Sequence, residues 1–385
     1  MLTRVQIKNI NAIDYCDIDF QKSKYKYLND MLYQDKLVNP IAFYGNNGSG
    51  KSSFLDAISH LITLMIGEPH QFSAFVSNNL NITKYLRLLS EEHGDKLNEE
   101  IVSKSIKEVK SHIKMFFEIA DDEYIYFIET SLLGRINKET LFVNEEKVFD
   151  RDKSSYFYKG KQIEIVESLY PTLRRLSIDT PNDVYISNAF NFLSNMGFID
   201  AMKRMCFVKS TVEKDYKDLI VEKSSLVRDI LSEYKEFPLY NVISRLSKEG
   251  KKEYFVQIDI GDDYLIMPHV YMSDGMLNQS MLLSVLLSMP RNSVLIIDEI
   301  EDTLHPLTIL DFIKVAQKKG IQLIFSTHNT YLLQKLRPDQ IIFANWKNGY
   351  STYKKLSDIY PNIREINNIE KMYFSNMFDE GIKNG

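Results

Sequence analysis

The amino-acid sequence predicts an α/β fold built around a parallel sheet. Short apolar runs alternate with segments in which apolar residues recur at helical spacing, a pattern typical of strand–helix–strand units. A glycine-rich turn, Gly45–Ser52, lies between such a run and such a helical segment. From residue 115 to residue 149 the pattern changes to that of strands separated by turn residues. We therefore expect a parallel sheet with helices and a second, strand-rich subdomain.

The expected elements follow from these periodicities and from the turn residues between them. In chain order, they are a strand over 2–8, a strand over 40–44, a helix over Ser52–Met65, a charged amphipathic helix over 97–112, strands over Phe116–Ile119, Tyr124–Thr130 and Glu139–Val143, a mostly helical stretch over 160–250, strands over Tyr254–Ile260 and Tyr264–Tyr271, a helix over Leu277–Leu287, a strand over Ser293–Asp298, a helix over Pro306–Lys319, a strand over Gln322–Ser326 and a short strand over Gln340–Ala344. The pairs Asp121-Asp122 and Asp262-Asp263 fall between strands and are expected in hairpin turns.

The residues with the clearest chemistry lie near both ends of the chain. We therefore expect a single core that an insertion splits into two parts. The expected lobes are residues 1–150 with the glycine-rich turn and the strand-rich subdomain, residues 151–250 as a helical insertion, and residues 251–385 as the second part of the core.

The composition excludes several classes of protein. With 47 Lys and Arg against 52 Asp and Glu, the net charge of -5 argues against a protein dominated by binding to a phosphate backbone. Cys16 and Cys206 are the only cysteines, which excludes a disulfide framework and a cysteine-based zinc site and indicates a reducing compartment. No apolar run approaches the ~18 residues that span a bilayer, and no secretory signal is visible. The expected location is the cytoplasm, without a membrane partner.

A phosphate-binding loop is predicted after the second strand. Residues Gly45, Asn46, Asn47, Gly48, Ser49, Gly50, Lys51 and Ser52 fit the pattern G-x-x-x-x-G-K-[ST]. In such a loop, successive backbone N–H groups face the phosphates, the lysine supplies a positive charge, and the Ser52 hydroxyl can ligate Mg²⁺. The helix that follows adds its positive dipole end. We therefore expect the loop, with the adjoining Ser53, to bind a nucleotide and Mg²⁺.

Two acidic residues follow the apolar run Val294–Ile297. A fully buried strand would deliver Asp298 to the carboxyl edge of the sheet, where ligands of α/β proteins bind. There Asp298 would hold Mg²⁺, directly or through water, and Glu299 would polarise the attacking water. Taken alone, the same residues are compatible with a strand that ends in a solvated acidic turn.

His328 comes just after the next buried strand, about thirty residues beyond Asp298. A neutral histidine in this place could contact the γ-phosphate and sense hydrolysis. A single histidine is usually unremarkable, and only the order of strand, acidic pair, helix, strand and histidine favours the functional interpretation. His305 follows the acidic turn and is a candidate for a subunit contact.

A Ser-Asp-Gly sequence precedes the helix that lies upstream of Asp298. Ser273 is a plausible N-cap residue, and Gly275 permits a close approach of another backbone. Considered locally, this is only the start of a helix.

Together and in this order, the four motifs resemble the ABC-type ATPase head shared by SMC proteins, their DNA-repair relatives and OLD-like proteins. The resemblance implies a P-loop parallel sheet with an antiparallel β subdomain and an inserted helical region. It also implies that ATP is the nucleotide, and that Ser273 and Gly275 reach the γ-phosphate bound by a second subunit. The implied assembly is a homodimer, or a higher homo-oligomer, with two ATP molecules between subunits.

The ends of the chain are also similar to stand-alone prokaryotic ATPases with AAA-type, ABC-like domains. The similar stretches are Arg4–Asn9, Ser273–Gly275, Ile297–Pro306, Arg337–Ile342, Leu356–Ile359 and Glu370–Tyr373. Met276 departs from the usual threonine, and Asn376–Phe378 replaces a more glycine-rich tail. Members of this group, such as the ATPase subunit of the PARIS system, commonly act in anti-phage defence beside a separate effector. The resemblance thus implies a companion TOPRIM-type or HNH nuclease and a phage protein as trigger.

Two other functions remain open at this stage. One is a DNA-processing ATPase that binds DNA directly, for which Lys104, Lys107, Lys110 and Lys114 are candidates, although a solvated helix face explains them as well. The other is a slow, structural ATPase that assembles into a ring. No long coiled coil, in-cis nuclease motif or transporter-type signature is visible. Gln71 is a candidate for the coupling glutamine by its position alone.

Overall fold

The computed structural model describes residues 1–67, 110–131, 135–165, 170–200, 205–209, 216–233, 240–261, 263–363 and 367–375. Within them the strands, in chain order, are β1 (Leu2–Ile10), β2 (Ile13–Asp19), β3 (Leu32–Tyr33), β4 (Leu37–Val38), β5 (Ile41–Tyr44), β6 (Lys110–Ile119), β7 (Asp122–Ser131), β8 (Ile136–Val143), β9 (Glu146–Arg151), β10 (Ser155–Tyr158), β11 (Lys161–Glu164), β12 (Gly197–Asp200), β13 (Met205–Phe207), β14 (Tyr240–Leu246), β15 (Lys252–Ile260), β16 (Asp263–Pro268), β17 (Val294–Asp298), β18 (Gln322–Ser326), β19 (Ile341–Lys347) and β20 (Tyr350–Lys355). The α-helices of the same part of the chain are α1 (Lys51–Ile66), α2 (Thr172–Asp179), α3 (Val184–Ser194), α4 (Tyr216–Ser232), α5 (Asp274–Ser288), α6 (Pro306–Lys319), α7 (Leu356–Ile359) and α8 (Ile369–Phe374).

A seven-stranded sheet forms the centre of the molecule, in the order β13-β12-β17-β18-β5-β19-β20. The five inner strands are parallel, and the edge strands β13 and β20 are antiparallel to their neighbours. Strands β5, β17 and β18 are buried at every residue, which explains why they are continuous apolar runs rather than alternating ones. Their carboxyl ends meet at one edge of the sheet. The predicted α/β fold class is therefore confirmed.

An eight-stranded antiparallel sheet, in the order β11-β10-β9-β8-β7-β6-β1-β2, forms the second layer. Helix α1 lies between the two sheets and packs against β12, β17 and β18 on one side and against β1 and β6 on the other. Because of this position it is buried almost all round, from Phe54 to Met65. Each fully buried Leu, Ile or Phe side chain stabilises the fold by about 1.5–3 kcal/mol. Helix α1 is thus a central structural element as well as the continuation of the predicted phosphate loop.

The two faces of the parallel sheet belong to different cores. In β17, Val294 and Ile296 pack in the core that contains α1 and the antiparallel sheet. Leu295 and Ile297 face the opposite core, which contains α4, α5 and α6. Because successive side chains of a strand point to opposite faces of the sheet, β17 contributes residues to both cores.

Buried amide side chains join the layers. Gln322 accepts a hydrogen bond from Leu2 N at 2.9 Å and donates one to Leu2 O at 3.0 Å. Asn39 likewise accepts from Leu323 N and donates to Ile321 O, each at 2.9 Å. These amides satisfy backbone groups that no neighbouring strand reaches, so β1 and β18 are held in a fixed relation.

The middle of the chain differs from the sequence-based expectation. It contains helices, α2 to α4, but also strands that the periodicity does not reveal. One of them, β12, pairs in parallel with β17 and has all four residues buried. Its four-residue length and single glycine hide it between helical patterns. The expected boundaries at 151 and 250 remain a hypothesis, but this stretch contributes directly to the central sheet.

The helix predicted over 97–112 is wrong where the structure describes it. Lys110 to His112 begin β6, which pairs with β1 and β7 along its length. Backbone pairing on both sides overrides the helical spacing of the charged residues. Residues 97–109, including Lys104 and Lys107, lie outside the described residues.

Most other elements agree with the predictions. Helix α6 and strand β18 have the predicted bounds, and β1, β5, β7, β8, β15 to β17, β19, α1 and α5 differ by at most three residues at their ends, whereas β6 begins six residues before its predicted start. The predicted hairpin turn is confirmed at Asp121, whereas Asp122 and Asp263 are the first residues of β7 and β16, and Asp262 lies outside the described residues. Among the residues that the structure describes, no helix is long and apolar enough to cross a membrane.

Candidate functional site

The glycine-rich loop runs from the end of β5 to the start of α1. Gly45 has φ 152° and Gly50 has φ 100°, both in the region that side chains rarely adopt. A Cβ atom at Gly50 would lie 1.8 Å from Ser351 Oγ, and one at Gly45 would lie 2.3 Å from Ala344 O. The loop therefore needs glycine at both positions, because β19 and β20 approach its backbone closely.

The exposed side of the loop is open. Asn46, Asn47 and Gly48 are exposed, and nothing lies within 4 Å of a Cβ atom built on Gly48. Ser49 is buried, and its hydroxyl oxygen has no hydrogen-bond partner. An unsatisfied buried hydroxyl costs free energy that a phosphate oxygen would recover. The curled backbone and this hydroxyl fit the phosphate group that the sequence predicts.

Lys51 and His328 are in direct contact. Lys51 Nζ lies 2.9 Å from His328 Nε2 and donates to Gly45 O at 3.0 Å. Because the ammonium group can only donate, His328 accepts through Nε2 and is neutral in this arrangement. Burial, and then the charge of Lys51, lower the pKa of His328. Burial also lowers the pKa of Lys51, although the carboxylates of Glu299, Asp298 and Glu301 oppose this shift.

Asp298 and Glu299 are positioned by a serine on the neighbouring strand. Ser326 Oγ donates to Asp298 Oδ1 at 2.5 Å and accepts from Glu299 N at 2.7 Å. Asp298 is the last residue of β17 and is buried, whereas Glu299 has a left-handed backbone with φ 51°. Such a conformation is strained for a residue with a side chain and turns the chain sharply after the strand.

The environment of Glu299 suits a general base. Burial is the largest cause that raises its pKa, followed by a hydrogen bond with Asp302 and the negative charges of Asp298, Asp302 and Glu301. A carboxylate with a raised pKa takes up a proton more readily near neutral pH. This matches the water-activating role that the sequence predicts.

Glu301 is a further acidic residue of the site. One of its carboxylate oxygens accepts the backbone N–H of His328, and the other is buried without a partner. Its charge also raises the pKa of Lys51, of His328 and of Tyr44. Glu301 therefore connects the turn after β17 with the segment that carries His328.

The Ser-Asp-Gly sequence lies at the exposed start of α5. Ser273 is the N-cap and accepts from Met276 N at 3.3 Å, as its residue type predicts. Gly275 is exposed, with nothing within 4 Å of a built Cβ atom. The residues before this sequence are also exposed, with Val270 at 70% and Tyr271 at 72% of their full accessibility. The same helix contacts the acidic turn, since Asn278 Nδ2 donates to Asp302 O at 3.3 Å.

The structure brings several predicted residues together and leaves others apart. Lys51, Asp298, Glu299 and His328 share one site, whereas the Ser273 side chain accepts a hydrogen bond from Met276 N of its own helix. Ser52 and Ser53, at the start of α1, are half-buried. Gln71 and Asn376–Phe378 lie outside the described residues.

The sequence alone does not indicate a role for four residues in or beside the site. Ser326 and Glu301 lie within stretches that the sequence analysis describes. Their hydrogen bonds, however, join the end of β17 to the end of β18 and the residues after it. Tyr353 donates to Gly50 O at 2.7 Å from β20, and Asp200 at the end of β12 pairs in register with Asp298. A polar residue that ends a buried apolar strand is the signal that could have found Ser326 and Asp200.

Comparison with protein families gives one match that covers the site. The profile of the family described as "AAA domain, putative AbiEii toxin, Type IV TA system" matches residues 41–334. This span contains the glycine-rich loop, Ser273, Asp298, Glu299 and His328. Comparison with curated protein sequences finds no match.

Comparison with solved structures finds SMC head domains. A crystal structure of an SMC head bound to the C-winged helix domain of ScpA superposes with a TM-score of 0.52 at 16% identity, over 93% of this chain and 99% of that chain. The SMC head domain from Thermotoga maritima gives a TM-score of 0.44 at 14% identity, over 92% of this chain and 98% of that one. The first similarity shows that the chain has the fold of an ABC-type ATPase head.

Proposed function

Since the chain belongs to the AAA-domain family described as "putative AbiEii toxin, Type IV TA system", we propose that it is an ATPase that converts ATP and water to ADP and phosphate. The observation that carries this proposal is the 2.9 Å contact between Lys51 Nζ and His328 Nε2, beside Asp298 and Glu299. Residues from distant parts of the sequence thereby form one site at the carboxyl edge of the sheet. Phosphoryl transfer to water needs a positive charge on the phosphates, a metal-binding carboxylate and a residue that orients the water, and Lys51, Asp298 and Glu299 are our candidates for these roles.

The residues present fit ATP and Mg²⁺. Gly45 to Ser53 would hold the phosphates through backbone N–H groups, the Ser49 hydroxyl and the Lys51 ammonium. The Ser52 hydroxyl and the Asp298 carboxylate are hard oxygen ligands of the kind that Mg²⁺ prefers. Among the described residues, no cluster of three or more His, Cys, Asp or Glu side chains could hold a metal ion by itself. A bound Mg²⁺ would neutralise phosphate charge.

The side chains around the loop would act in different ways. Glu299 would orient the attacking water and receive its proton, for which its raised pKa is suited. A phosphate oxygen would compete with His328 Nε2 for the Lys51 ammonium. His328 would then be released to contact the γ-phosphate, so the same histidine distinguishes the two states. Glu301 would keep it close by its bond to the His328 backbone.

We further propose that ATP is bound between two copies of the chain. Ser273 and Gly275 are exposed and lie beside exposed Val270 and Tyr271, so a partner subunit can reach them. The exposed apolar side chains would be covered in such a dimer. ATP would join the subunits, and hydrolysis assisted by Glu299 would separate them.

We also propose a role in anti-phage defence, as a sensor or scaffold that controls a separate effector. The motif resemblance to stand-alone prokaryotic ATPases, including that of the PARIS system, supports this role. The family description, which names a putative toxin of a type IV toxin–antitoxin system, is compatible with it. The similar SMC head is itself bound to a domain of another protein, ScpA. We expect the effector to be a TOPRIM-type or HNH nuclease and the trigger to be a phage protein.

The central test compares ATP binding, hydrolysis and mass in three proteins. Lys51→Ala should lose ATP binding. Glu299→Gln should bind ATP, hydrolyse it about 10²- to 10⁴-fold more slowly and accumulate as a dimer of twice the 45.0 kDa chain mass. Glu249→Gln, at an exposed position, is the matched control. Wild-type hydrolysis by Glu299→Gln would contradict the assignment of the base, and ATP binding by Lys51→Ala would contradict the phosphate loop.

A second set of variants tests the dimer and its effector. Ser273→Arg in the Glu299→Gln background should bind ATP but remain a monomer, because the larger charged side chain blocks the shared site. Expression with the neighbouring genes of the operon should then co-purify an effector with the ATP-trapped protein and not with Lys51→Ala. An unchanged dimer in Ser273→Arg would contradict the proposed contact.

Direct DNA binding is a second candidate function, and the basic surface on β1 and β6 is the observation that favours it. Arg4, Lys8, Lys110 and Lys114 lie on the solvent side of β1 and β6, with Lys114 Nζ 4.9 Å from the centre of the Phe116 ring. Basic and aromatic side chains together are typical of nucleic-acid surfaces. Asp17 and Glu129 pair with Arg4 and Lys110, however, and reduce the positive charge of this surface. Stimulation of hydrolysis by DNA, abolished by Lys8→Glu with Lys114→Glu, would favour this function over the defence role.

A further inference from the structure

A pocket of about 380 Å³ lies on the antiparallel sheet, away from the phosphate loop. It is formed where β9 and β10 end against helix α2. Its walls combine apolar and aromatic side chains with arginines, namely Arg151, Tyr156, Tyr170, Arg174, Arg175 and Ile178. Pockets of this size, with apolar walls and a few charged groups, are typical of small-molecule sites.

Arg151 lines this pocket and carries an unsatisfied edge of its guanidinium group. The residue is 2% exposed, and its Nη1 donates to Tyr170 O at 2.7 Å and to Thr172 Oγ1 at 3.2 Å. Its Nε and Nη2 are buried and have no acceptor among the residues that the structure describes. Buried N–H groups without acceptors are rare, and those of a charged group are the most costly.

The same edge of arginine binds carboxylates elsewhere in this chain. Arg337 uses Nε and Nη2 to hold the two oxygens of Asp339, each at 2.9 Å. Arg4 uses the same two nitrogens to hold Asp17. Two parallel N–H groups match the spacing of two oxygens in a carboxylate or phosphate. The unpaired edge of Arg151 has the same two N–H groups and could hold such a group in the same way.

Among the described residues that line the pocket, the charged side chains are arginines. Arg151 forms a buried ion pair with Glu139, which lies 3.4 Å from Nη1 and also accepts from Thr172 N and Leu173 N. Arg174 and Arg175 add two more guanidinium groups on α2. The ion pair of Arg175 with Asp179 is half-exposed and therefore weak.

Aromatic rings form the neighbouring walls. The Arg174 guanidinium lies 5.1 Å from the centre of the Tyr170 ring, and Tyr156 is paired in register with Arg151. The charge of Arg175 acts on the Tyr156 phenol and opposes the rise in its pKa that burial causes. Arginines and rings thus converge on one small volume.

We propose that this pocket binds a small ligand that carries a phosphate or carboxylate group on a ring-containing body. The anionic group would accept from Nε and Nη2 of Arg151, and the ring would lie among Tyr156, Tyr170 and Ile178. Arg174 Nη1 also donates to Gly67 O at 2.6 Å, directly after helix α1. The pocket therefore lies at the opposite end of α1 from Lys51.

The test uses phenyl phosphate as the probe and the full chain with Lys51→Ala, so that the phosphate loop does not contribute. Titration calorimetry at constant ionic strength should show saturable binding of phenyl phosphate, weaker binding of inorganic phosphate and none of phenol. Arg175→Glu should weaken binding at least about tenfold, because it reverses one of the converging charges. Arg135→Glu, an exposed arginine outside the pocket, is the matched control and should leave binding unchanged.

Arg151→Lys tests the bidentate edge directly. It keeps a positive charge near Glu139 but removes the paired N–H groups, so binding should be lost while near-ultraviolet circular dichroism stays native. If Arg151→Lys does not fold, the effect of Arg175→Glu on phenyl phosphate binding is the test of the proposal. Absence of saturable phenyl phosphate binding, equal binding of phenol, or binding that Arg175→Glu leaves unchanged would overturn the proposal.

Discussion

Two glutamates near the end of β17 have different surroundings. Glu299 is held near Asp302 and has a raised pKa, whereas Glu301 accepts the backbone N–H of His328. The first can exchange a proton with water, and the second fixes the position of a neighbouring segment. We therefore propose that Glu299 takes part in the chemistry and that Glu301 positions its neighbours.

Glu301→Ala should slow ATP hydrolysis about ten- to a hundredfold with little change in ATP affinity, since small displacements of a site residue have effects of this size. Glu301→Gln retains an acceptor oxygen for His328 N and should lose less. Single-turnover hydrolysis and equilibrium nucleotide binding measure the two effects separately, with Glu249→Ala as the control. Equal losses in Ala and Gln would show that the charge of Glu301, rather than the hydrogen bond, is what matters.

His60 makes the stability of helix α1 sensitive to acid. Burial lowers its pKa to about 3 in the folded chain, against 6.5 for the exposed imidazole. As the pH falls below 6.5, the unfolded chain takes up the proton first and is stabilised. The contribution of neutral, buried His60 to the free energy of unfolding is therefore complete above pH 6.5. It is lost progressively as the pH falls toward 3, and the total loss is roughly 4–5 kcal/mol.

His60→Leu should flatten the dependence of unfolding free energy on pH between 6.5 and 4. Urea titrations at pH 7, 6 and 5 measure this slope. His305→Leu, at an exposed position, controls for the loss of one imidazole and should keep the slope of the wild type. An unchanged slope in His60→Leu would contradict the pKa shift.

At the scale of elements, the buried ion pair between Arg337 and Asp339 holds the long loop that follows β2 in place. Arg337 and Asp339 are fully buried, and Arg337 Nη2 donates to Tyr25 O at 3.0 Å. Asp339 in turn accepts from Ser23 N and Ser23 Oγ at 2.7 and 2.8 Å. These contacts give a structural reason for the sequence Arg337–Ile342, to which the family resemblance assigned no role.

Arg337→Ala should lower the free energy of unfolding by about 3–5 kcal/mol, because it leaves a buried carboxylate without its partner. Arg4→Ala removes the equivalent Arg–Asp pair from a site where the Arg4 side chain is 43% exposed, and should cost less than about 1 kcal/mol. Urea unfolding of the two variants compares buried and exposed pairs directly. Equal losses would mean that burial does not set the strength of these pairs.

For the whole molecule, β12 makes the middle of the chain part of the ATPase core. It pairs with β17, whose last residue is Asp298, and Ile199 is fully buried in the core beside α5 and α6. Folding of the middle segment and formation of the nucleotide site should therefore be one cooperative event.

Ile199→Asp should unfold the whole chain and abolish ATP binding, because an unpaired buried charge cannot be compensated in this sheet. Ile260→Asp places the same charge at a position that is 58% exposed and should do neither. Circular dichroism and nucleotide binding measure the two outcomes. A variant at Ile199 that loses only α2 to α4 and still binds ATP would show that the middle segment folds independently.

The sequence by itself determined the fold class, the glycine-rich loop between a strand and a helix, and the positions of Asp298, Glu299 and His328 relative to strands. It could do so because each is a local pattern: a fully apolar strand, a glycine-rich turn, or a polar residue directly after a strand. Only the tertiary structure decided that β12 joins the parallel sheet, that Lys110 begins a strand, that Ser326 and Glu301 position the acidic turn and His328, and that Arg151 keeps a free bidentate edge. These features depend on pairing and burial between residues far apart in the chain, and such contacts leave no periodic signal in the sequence.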